Sequence, residues 1–217
     1  MFDGIARHYD LLNRLISLGL DRGWRQEVVR SVHIQPGARV LDLGCGTGDL
    51  AQLLALRHAE LVIVGVDLSA EMLGRARARL GQNVGLVQAS AFELPFQDGC
   101  FSAAVSGFLL RNLHDLERAL RELARVAAHG ADIALLDATR PPPGLRRALF
   151  LAYFRVAAPG LGALFGQRRA YTYLRDSLVQ IPDAATMCRL LTQAGFVGCR
   201  ARPLTLGAVT LFTATRS

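Results

Sequence analysis

One stretch holds most of the residues whose types and spacing could do chemistry. In Val40-Leu41-Asp42-Leu43-Gly44-Cys45-Gly46-Thr47-Gly48-Asp49-Leu50 an apolar run meets three glycines at alternate positions and then a helical pattern. A turn that tight needs residues that tolerate unusual backbone angles and let a ligand reach the main chain, and glycine does both. The spacing is G-x-G-x-G, not the G-x-G-x-x-G of a dinucleotide fingerprint, and an acid, Asp42, ends the strand before it. Both details favour a ligand with a charged amino-acid end over a pyrophosphate. S-adenosylmethionine (SAM) fits, with Asp42, Gly44, Gly46, Thr47 and Gly48 as its contacts.

Three more stretches could converge on the same ligand. Asp67 closes a second apolar run, Leu61 to Val66, and Leu68 follows it. A carboxylate there can accept hydrogen bonds from both hydroxyls of a ribose. The competing reading of Asp67 is a helix cap, but Ser69 is better placed for that. Ser90-Ala91 follows a third strand, beside where an adenine would lie, and the stretch from Gly107 to Asn112 follows a fourth and would face the methyl group. In open α/β sheets such loops meet at the carboxyl ends of the strands, where the strand order reverses.

The elements that must position these loops are legible from periodicity. Residues 2–32 read as helical, with Leu11, Leu12, Leu15, Ile16 and Leu18 at helical spacing. A second helix starts near Asp21 and carries Trp24, Val28, Val29 and Val32. This piece reads as an appendage covering the active edge. From residue 39, strands at 39–43, 61–67, 84–88, 101–106 and 132–138 alternate with helices at 49–57, 70–80 and 115–127. That rhythm predicts an α/β fold, a doubly wound parallel sheet with right-handed crossovers. After Arg140-Pro141-Pro142-Pro143-Gly144 the rhythm changes to an apolar stretch, 145–165, flanked by arginine pairs. A helix at 183–194, begun by Asp183 and stopped by Gly195, and two strands near 198–203 and 208–215 follow, the strands forming a hairpin that closes the sheet.

A chain of 217 residues is long enough for one domain with a real core. No apolar run approaches the ~20 residues of a membrane helix, and Met1-Phe2-Asp3-Gly4 does not open a secretory signal, so a cytoplasmic protein is expected. Every basic residue is Arg, and the net charge of +7 attracts anionic partners, either nucleic acid or an anionic membrane face. Cys45, Cys100, Cys188 and Cys199 show neither C-x-x-C spacing nor a nearby metal-ligand His, which predicts free thiols, no disulfide and no metal site.

Several of these stretches resemble a known family. Phe2-Asp3-Gly4-Ile5-Ala6, Tyr9-Asp10-Leu11-Leu12-Asn13, Trp24-Arg25, the glycine loop, Leu94-Pro95-Phe96-Gln97-Asp98, Leu110-Arg111-Asn112 and Tyr171-x-Tyr173-Leu174-x-x-Ser177 are similar to the ubiquinone/menaquinone-biosynthesis C-methyltransferases (UbiE/MenG type), a class I SAM methyltransferase family. The resemblance implies a Rossmann-like, seven-stranded sheet in a single domain over 1–217, with an N-terminal helical cap (1–36) and a helical lid inserted after strand five (141–180). It also implies SAM-dependent methylation of a reduced prenylated quinone, with demethylmenaquinol to menaquinol favoured over the ubiquinone-pathway equivalent. The chain departs from the family pattern at several points. Ser90 replaces an Asp or Asn, Phe101-Ser102 replaces Phe-Asp, Gly107-Phe108-Leu109-Leu110 replaces Ser-Phe-Gly-Leu, and Asp137 replaces a Glu.

Methylating an aromatic carbon calls for an electron-rich quinol, better still its phenolate. A free phenol titrates near ~10, so a site working near neutral pH must stabilise the anion. Arg111 is suited to that, since it stays protonated and offers fixed donors. Asn112 would orient the quinol oxygen, and Tyr9 or His114 would move the proton. The structural alternatives are an Arg111–Asp115 ion pair, Asn112 or His114 as a helix start, and Tyr9 as core packing. The partners implied are a prenylated quinol, peripheral contact with an anionic membrane through the lid, and a second copy of the chain in a homodimer; no nucleic acid is expected. Competing functions are methylation of another small molecule, methylation of RNA, and a non-catalytic nucleotide-binding module.

Overall fold

Alternating small and β-branched residues let the central strands bury both faces, and the sheet is built on them. The computed structural model describes residues 17, 19–81, 83–139 and 182–217. The expected first helix, Tyr9, the 141–180 lid, Tyr171 and Tyr173 lie outside these residues. The described elements are α1 (Asp21–Ser31), β1 (Arg39–Leu43), α2 (Asp49–Arg57), β2 (Val62–Asp67), α3 (Ala70–Arg79), β3 (Val84–Gln88), β4 (Phe101–Gly107), α4 (Leu116–Val126), β5 (Ala127–Ala138), α5 (Ala184–Gln193), β6 (Phe196–Leu204) and β7 (Val209–Arg216).

Among the described residues the strands form one seven-stranded sheet, ordered β3-β2-β1-β4-β5-β7-β6. β1 to β5 pair in parallel, while β7 runs antiparallel to both β5 and β6. The expected closing hairpin is present, with β7 on its inner side. The order reverses between β1 and β4, so the carboxyl ends of those two strands are where a ligand belongs.

The sheet separates two apolar cores. Leu41, Val64, Ala104, Ile133, Leu135 and Phe212 point to one face and meet Leu120 and Leu123 of α4 and Met187 and Leu191 of α5. Val40, Ile63, Val105, Ala134, Leu136 and Leu211 point to the other and meet Leu50 and Leu54 of α2. Period-two alternation assigns neighbours on one strand to opposite faces, and each fully buried large side chain contributes roughly 1.5–3 kcal/mol. α1 belongs to the second core through Val28 and Val29. It is therefore a layer of the domain and not only a cover for its edge.

Two further expectations need correction. Cys188 and Cys199 form a disulfide, with Cα atoms 5.5 Å apart. α5 ends, the chain turns at Gly195 (φ +98), and β6 runs back alongside the helix, so that residues 11 positions apart in sequence meet. Cys45 and Cys100 are free. The fifth strand also starts earlier than its apolar pattern indicates. α4 ends at Val126, and Ala127 pairs directly with Phe101 before an irregularity resets the register at Ala103.

Candidate active site

The glycine loop is held by main-chain bonds to the neighbouring strand. Gly44 N and Cys45 N both donate to Val66 O, at 2.8 and 2.9 Å. Gly46 N donates to Asp67 Oδ2 at 2.8 Å. Gly46 has φ +54, and a Cβ built on it would meet nothing within 4 Å, so its main chain faces open space. Gly48 has φ +87, a left-handed conformation that favours glycine, and a Cβ on it would lie 2.6 Å from Leu80 Cδ1. Thr47 also turns to α3. Its hydroxyl and carbonyl accept from Arg79 Nη1 at 3.1 and 3.2 Å, and Arg79 reaches on to Asp49 Oδ1 at 2.8 Å.

The acids at the ends of β1 and β2 differ in kind. Asp42 is buried, and its Oδ2 accepts from Ala51 N at 3.0 Å. Its Oδ1 has no hydrogen-bond partner among the described residues. Burial first, then the charges of Asp67 and Asp49, push its carboxyl up to about 7. A ligand ammonium nearby would favour the ionised form. Asp67 instead accepts from Gly46 N and, through Oδ1, from Ser69 N at 2.9 Å. Ser69 is the cap of α3, as expected, accepting from Met72 N at 3.2 Å.

These loops border a cavity of about 310 Å³, near the lower end of the range of small-molecule sites. Of the residues singled out in the sequence, Gly44, Gly46, Asp67, Leu68, Ser90, Ala91, Gly107 and Asn112 line it, and His114 stands at its wall. Asp42, Thr47, Gly48 and Arg111 do not line it. Ser90 Oγ accepts from Phe92 N at 3.2 Å, which commits one of its lone pairs to the turn. Phe92, missed in the sequence, lines the cavity and packs on the His114 ring with centroids 4.4 Å apart. Open space at the Gly46 main chain, Asp67 in the cavity lining and the unpartnered Oδ1 of Asp42, buried outside that lining, are features that suit SAM.

Arg111 lies in a short 3₁₀ turn, Leu110–Asn112, after β4. It is 6% exposed, and its Nη1 is 2.5 Å from Oδ1 of Asp137, itself fully buried at the end of β5. Asp137 also accepts the Arg111 main-chain N–H at 3.1 Å and that of Ala138 at 2.7 Å. The ion pair suggested by sequence, Arg111 with Asp115, is not what forms; Asp115 caps α4 by accepting from Arg118 N at 2.9 Å. Asn112 is not a helix start. Its Nδ2 donates to Phe108 O at 3.2 Å, folding the turn onto itself. Asp137 and Phe108 are the partners sequence reasoning missed, although an acid at a third strand end was a usable signal.

A sheet of this order, with an acid-led glycine loop at its switch point, defines the class I SAM-dependent methyltransferase fold. Solved SAM-dependent methyltransferases share it. One from Aquifex aeolicus superposes with TM-score 0.67 at 17% identity, covering 91% of this chain and 92% of that one. Another, from Thermotoga maritima, does so with TM-score 0.67 at 18% identity, covering 100% and 98%. The chain belongs to the ubiE/COQ5 methyltransferase family, whose sequence profile matches residues 1–216. Among its relatives, a demethylmenaquinone methyltransferase of Thermus thermophilus is 39% identical over the whole of both chains. A ubiquinone/menaquinone biosynthesis C-methyltransferase of Geobacter sp. is 37% identical, covering all of this chain and 94% of its own.

Proposed function

We propose that this protein transfers a methyl group from SAM to a ring carbon of a reduced prenylated quinone, with demethylmenaquinol as acceptor and menaquinol as product. One observation carries the site half of the reading: Arg111, anchored on Asp137, sits in the same turn as Asn112, which lines the cavity between the glycine loop and Asp67. The relatives that match along their whole length carry names of this reaction.

SAM, when bound, supplies a methyl group activated by a sulfonium. The chain's own residues do the rest. Gly46 gives the ligand close approach to the main chain, Asp42, buried outside the cavity lining, acts on its ammonium through its charge, and Asp67 accepts from its ribose hydroxyls. Phe92 and Leu113 give the cavity apolar lining. Arg111, paired through Nη1 with Asp137, stabilises the acceptor as phenolate by its positive charge. Asn112 orients the acceptor oxygen, and Tyr9, with His114 as the second candidate, passes the phenolic proton to solvent.

The test is direct. Purified protein with methyl-labelled SAM and a short-tailed demethylmenaquinol should yield a ring C-methyl product, and the oxidised quinone should yield none. Label on RNA but not on the quinol would overturn the reading, and so would label on neither. Arg111→Ala is a poor probe, because it leaves Asp137 buried and unpaired at a cost of about 3–5 kcal/mol. Arg111→Lys keeps the charge and removes the planar fork. It should lower turnover about 100-fold while S-adenosylhomocysteine affinity changes less than threefold.

A further inference from the structure

Ser90 is the polar side chain that the turn after β3 brings to the cavity. Among the described residues the cavity's other polar side chains are Asp67 and Ser69, at the end of β2 and just before α3, and Asn112 and His114, after β4. β1, β2 and β3 are successive neighbours in the sheet, and neighbouring strands lie about 4.8 Å apart. The glycine loop, Asp67 and Ser90 therefore follow one another across the carboxyl edge of the sheet. On the SAM reading above, with the ribose at Asp67 and the amino-acid end at the glycine loop, the base extends toward the turn that carries Ser90.

That turn has committed much of its own hydrogen bonding. Ser90 Oγ accepts from Phe92 N at 3.2 Å, Ser90 O accepts from Glu93 N at 3.1 Å, and Ala89 N donates to Asp67 O at 3.1 Å. A side-chain oxygen that accepts from the N–H two residues on is the hydroxyl version of an Asx turn. Serine carries one O–H donor and two lone pairs. The turn takes a lone pair, and the hydroxyl proton has no acceptor among the described residues. The edge of an adenine presents an exocyclic amino group, which donates, beside a ring nitrogen, which accepts. The hydroxyl proton therefore pairs with the ring nitrogen and not with the amino group. Met72, Ala91 and Phe92 add apolar lining, which takes a flat ring by its face and is indifferent to what its edge carries. His114 packs on the Phe92 ring but is exposed, and a hydrogen bond exchanged there for one to water gains the amino group little.

We propose that Ser90 sets the base specificity of the methyl-donor site: it reads the ring nitrogen and leaves the exocyclic amino group unread, so the site accepts a purine that lacks that group. The inference rests on the SAM reading and is independent of which acceptor is methylated. A carboxylate at the same place would reverse the preference. It can take the place of the serine oxygen in the turn, it accepts and does not donate when ionised, and it would therefore pair with the amino group.

The experiment is titration calorimetry with S-adenosylhomocysteine and with its purine analogue, in which hydrogen replaces the exocyclic amino group and the ring nitrogen stays. Wild type, Ser90→Ala and Ser90→Asp are compared. Wild type should bind the two ligands within about threefold of each other, less than one neutral hydrogen bond to the amino group can contribute. Ser90→Ala should weaken both by the same factor, about 3- to 10-fold, and so keep their ratio. Ser90→Asp should raise the preference for S-adenosylhomocysteine about tenfold or more, through a bond to a charged acceptor. A larger wild-type preference overturns the proposal, and so does a loss in Ser90→Ala confined to S-adenosylhomocysteine. An unchanged ratio in a folded Ser90→Asp overturns it as well, because position 90 would then not face the amino group. Should Ser90→Asp fail to fold, wild type and Ser90→Ala decide the matter. A wild type that binds neither ligand overturns the SAM reading, and this proposal with it. Binding of S-adenosylhomocysteine with strong rejection of the purine analogue overturns this proposal alone.

Discussion

Asp42, Asp67 and Asp137 stand at the carboxyl ends of three strands, yet their surroundings give each a different electrostatic role. Asp42 has a folded-state pKa of about 7, raised mainly by burial, against an unfolded value near 3.9. The folded chain therefore holds this proton more tightly. Below pH ~4 the group is neutral in both states and favours neither. Stability falls as pH rises from about 4 to about 7, and above that the whole penalty of the buried anion is present. A ligand ammonium beside Asp42 offsets that penalty and lowers the pKa. Binding of S-adenosylhomocysteine near pH 6 should therefore release a proton, and its affinity should rise with pH up to about 7. Titration calorimetry in two buffers of different ionisation enthalpy measures the release, and Asp42→Asn should abolish it. Proton uptake, or release that survives in Asp42→Asn, would contradict the assignment. The places of Asp42 and Asp67 at strand ends were legible in the sequence because each ends an apolar run beside a glycine turn or a helix start. The partner of Arg111 was not. Asp137 is 26 positions away on the next strand of the sheet, while Asp115 stood one helical turn on as a local decoy. Phe108 left no local signal, because a positive φ at a non-glycine is imposed by Leu136 O and Asn112 from outside it.

At the scale of elements, strands β1 to β4 and helices α1 to α4 lie where period-two and helical patterns place them, and Ser69, Asp115 and Asp183 cap the helices they precede. What periodicity missed depends on pairing between elements. β5 starts at Ala127 because Phe101 offers it a partner, although residues 128–130 have no strand pattern of their own. The Cys188–Cys199 bond was missed for the same reason, since only the packing of α5 against β6 brings the two together. Closing a loop with a separation of 11 residues stabilises by about 2–3 kcal/mol in the chain-entropy account. For a domain of this size that corresponds to roughly 5–10 °C in Tm. Calorimetry on the oxidised protein, on the protein in reductant and on Cys188→Ser should show that drop in the last two and not the first. The oxidised chain should be lighter than the reduced one by two hydrogens in intact mass. Equal Tm values across the three would remove the staple from the stability of α5 and β6.

For the molecule as a whole, the open question is how it reaches an acceptor that carries a polyprenyl tail. No helix among the described residues is long and apolar enough to cross a membrane. The formal net charge is +7, all of it from arginine against acid, and Leu68 at the cavity wall is 71% exposed. A basic protein near an anionic bilayer gains on the order of 1 kcal/mol for each arginine at the surface, and that gain fades within a Debye length of about 10 Å at 0.1 M salt. Contact made by charge alone is peripheral and reversible. Sedimentation with vesicles tests it. Vesicles containing anionic phospholipid should retain the protein at about 25 mM salt and release it at about 0.5 M, where screening has shortened to a few ångströms, and purely zwitterionic vesicles should retain little at either. No retention on anionic vesicles at low salt would mean that the charge serves another purpose, and that the tail leaves the bilayer to meet the cavity. Retention indifferent to salt would point instead to apolar insertion and leave the arginines without a part in it.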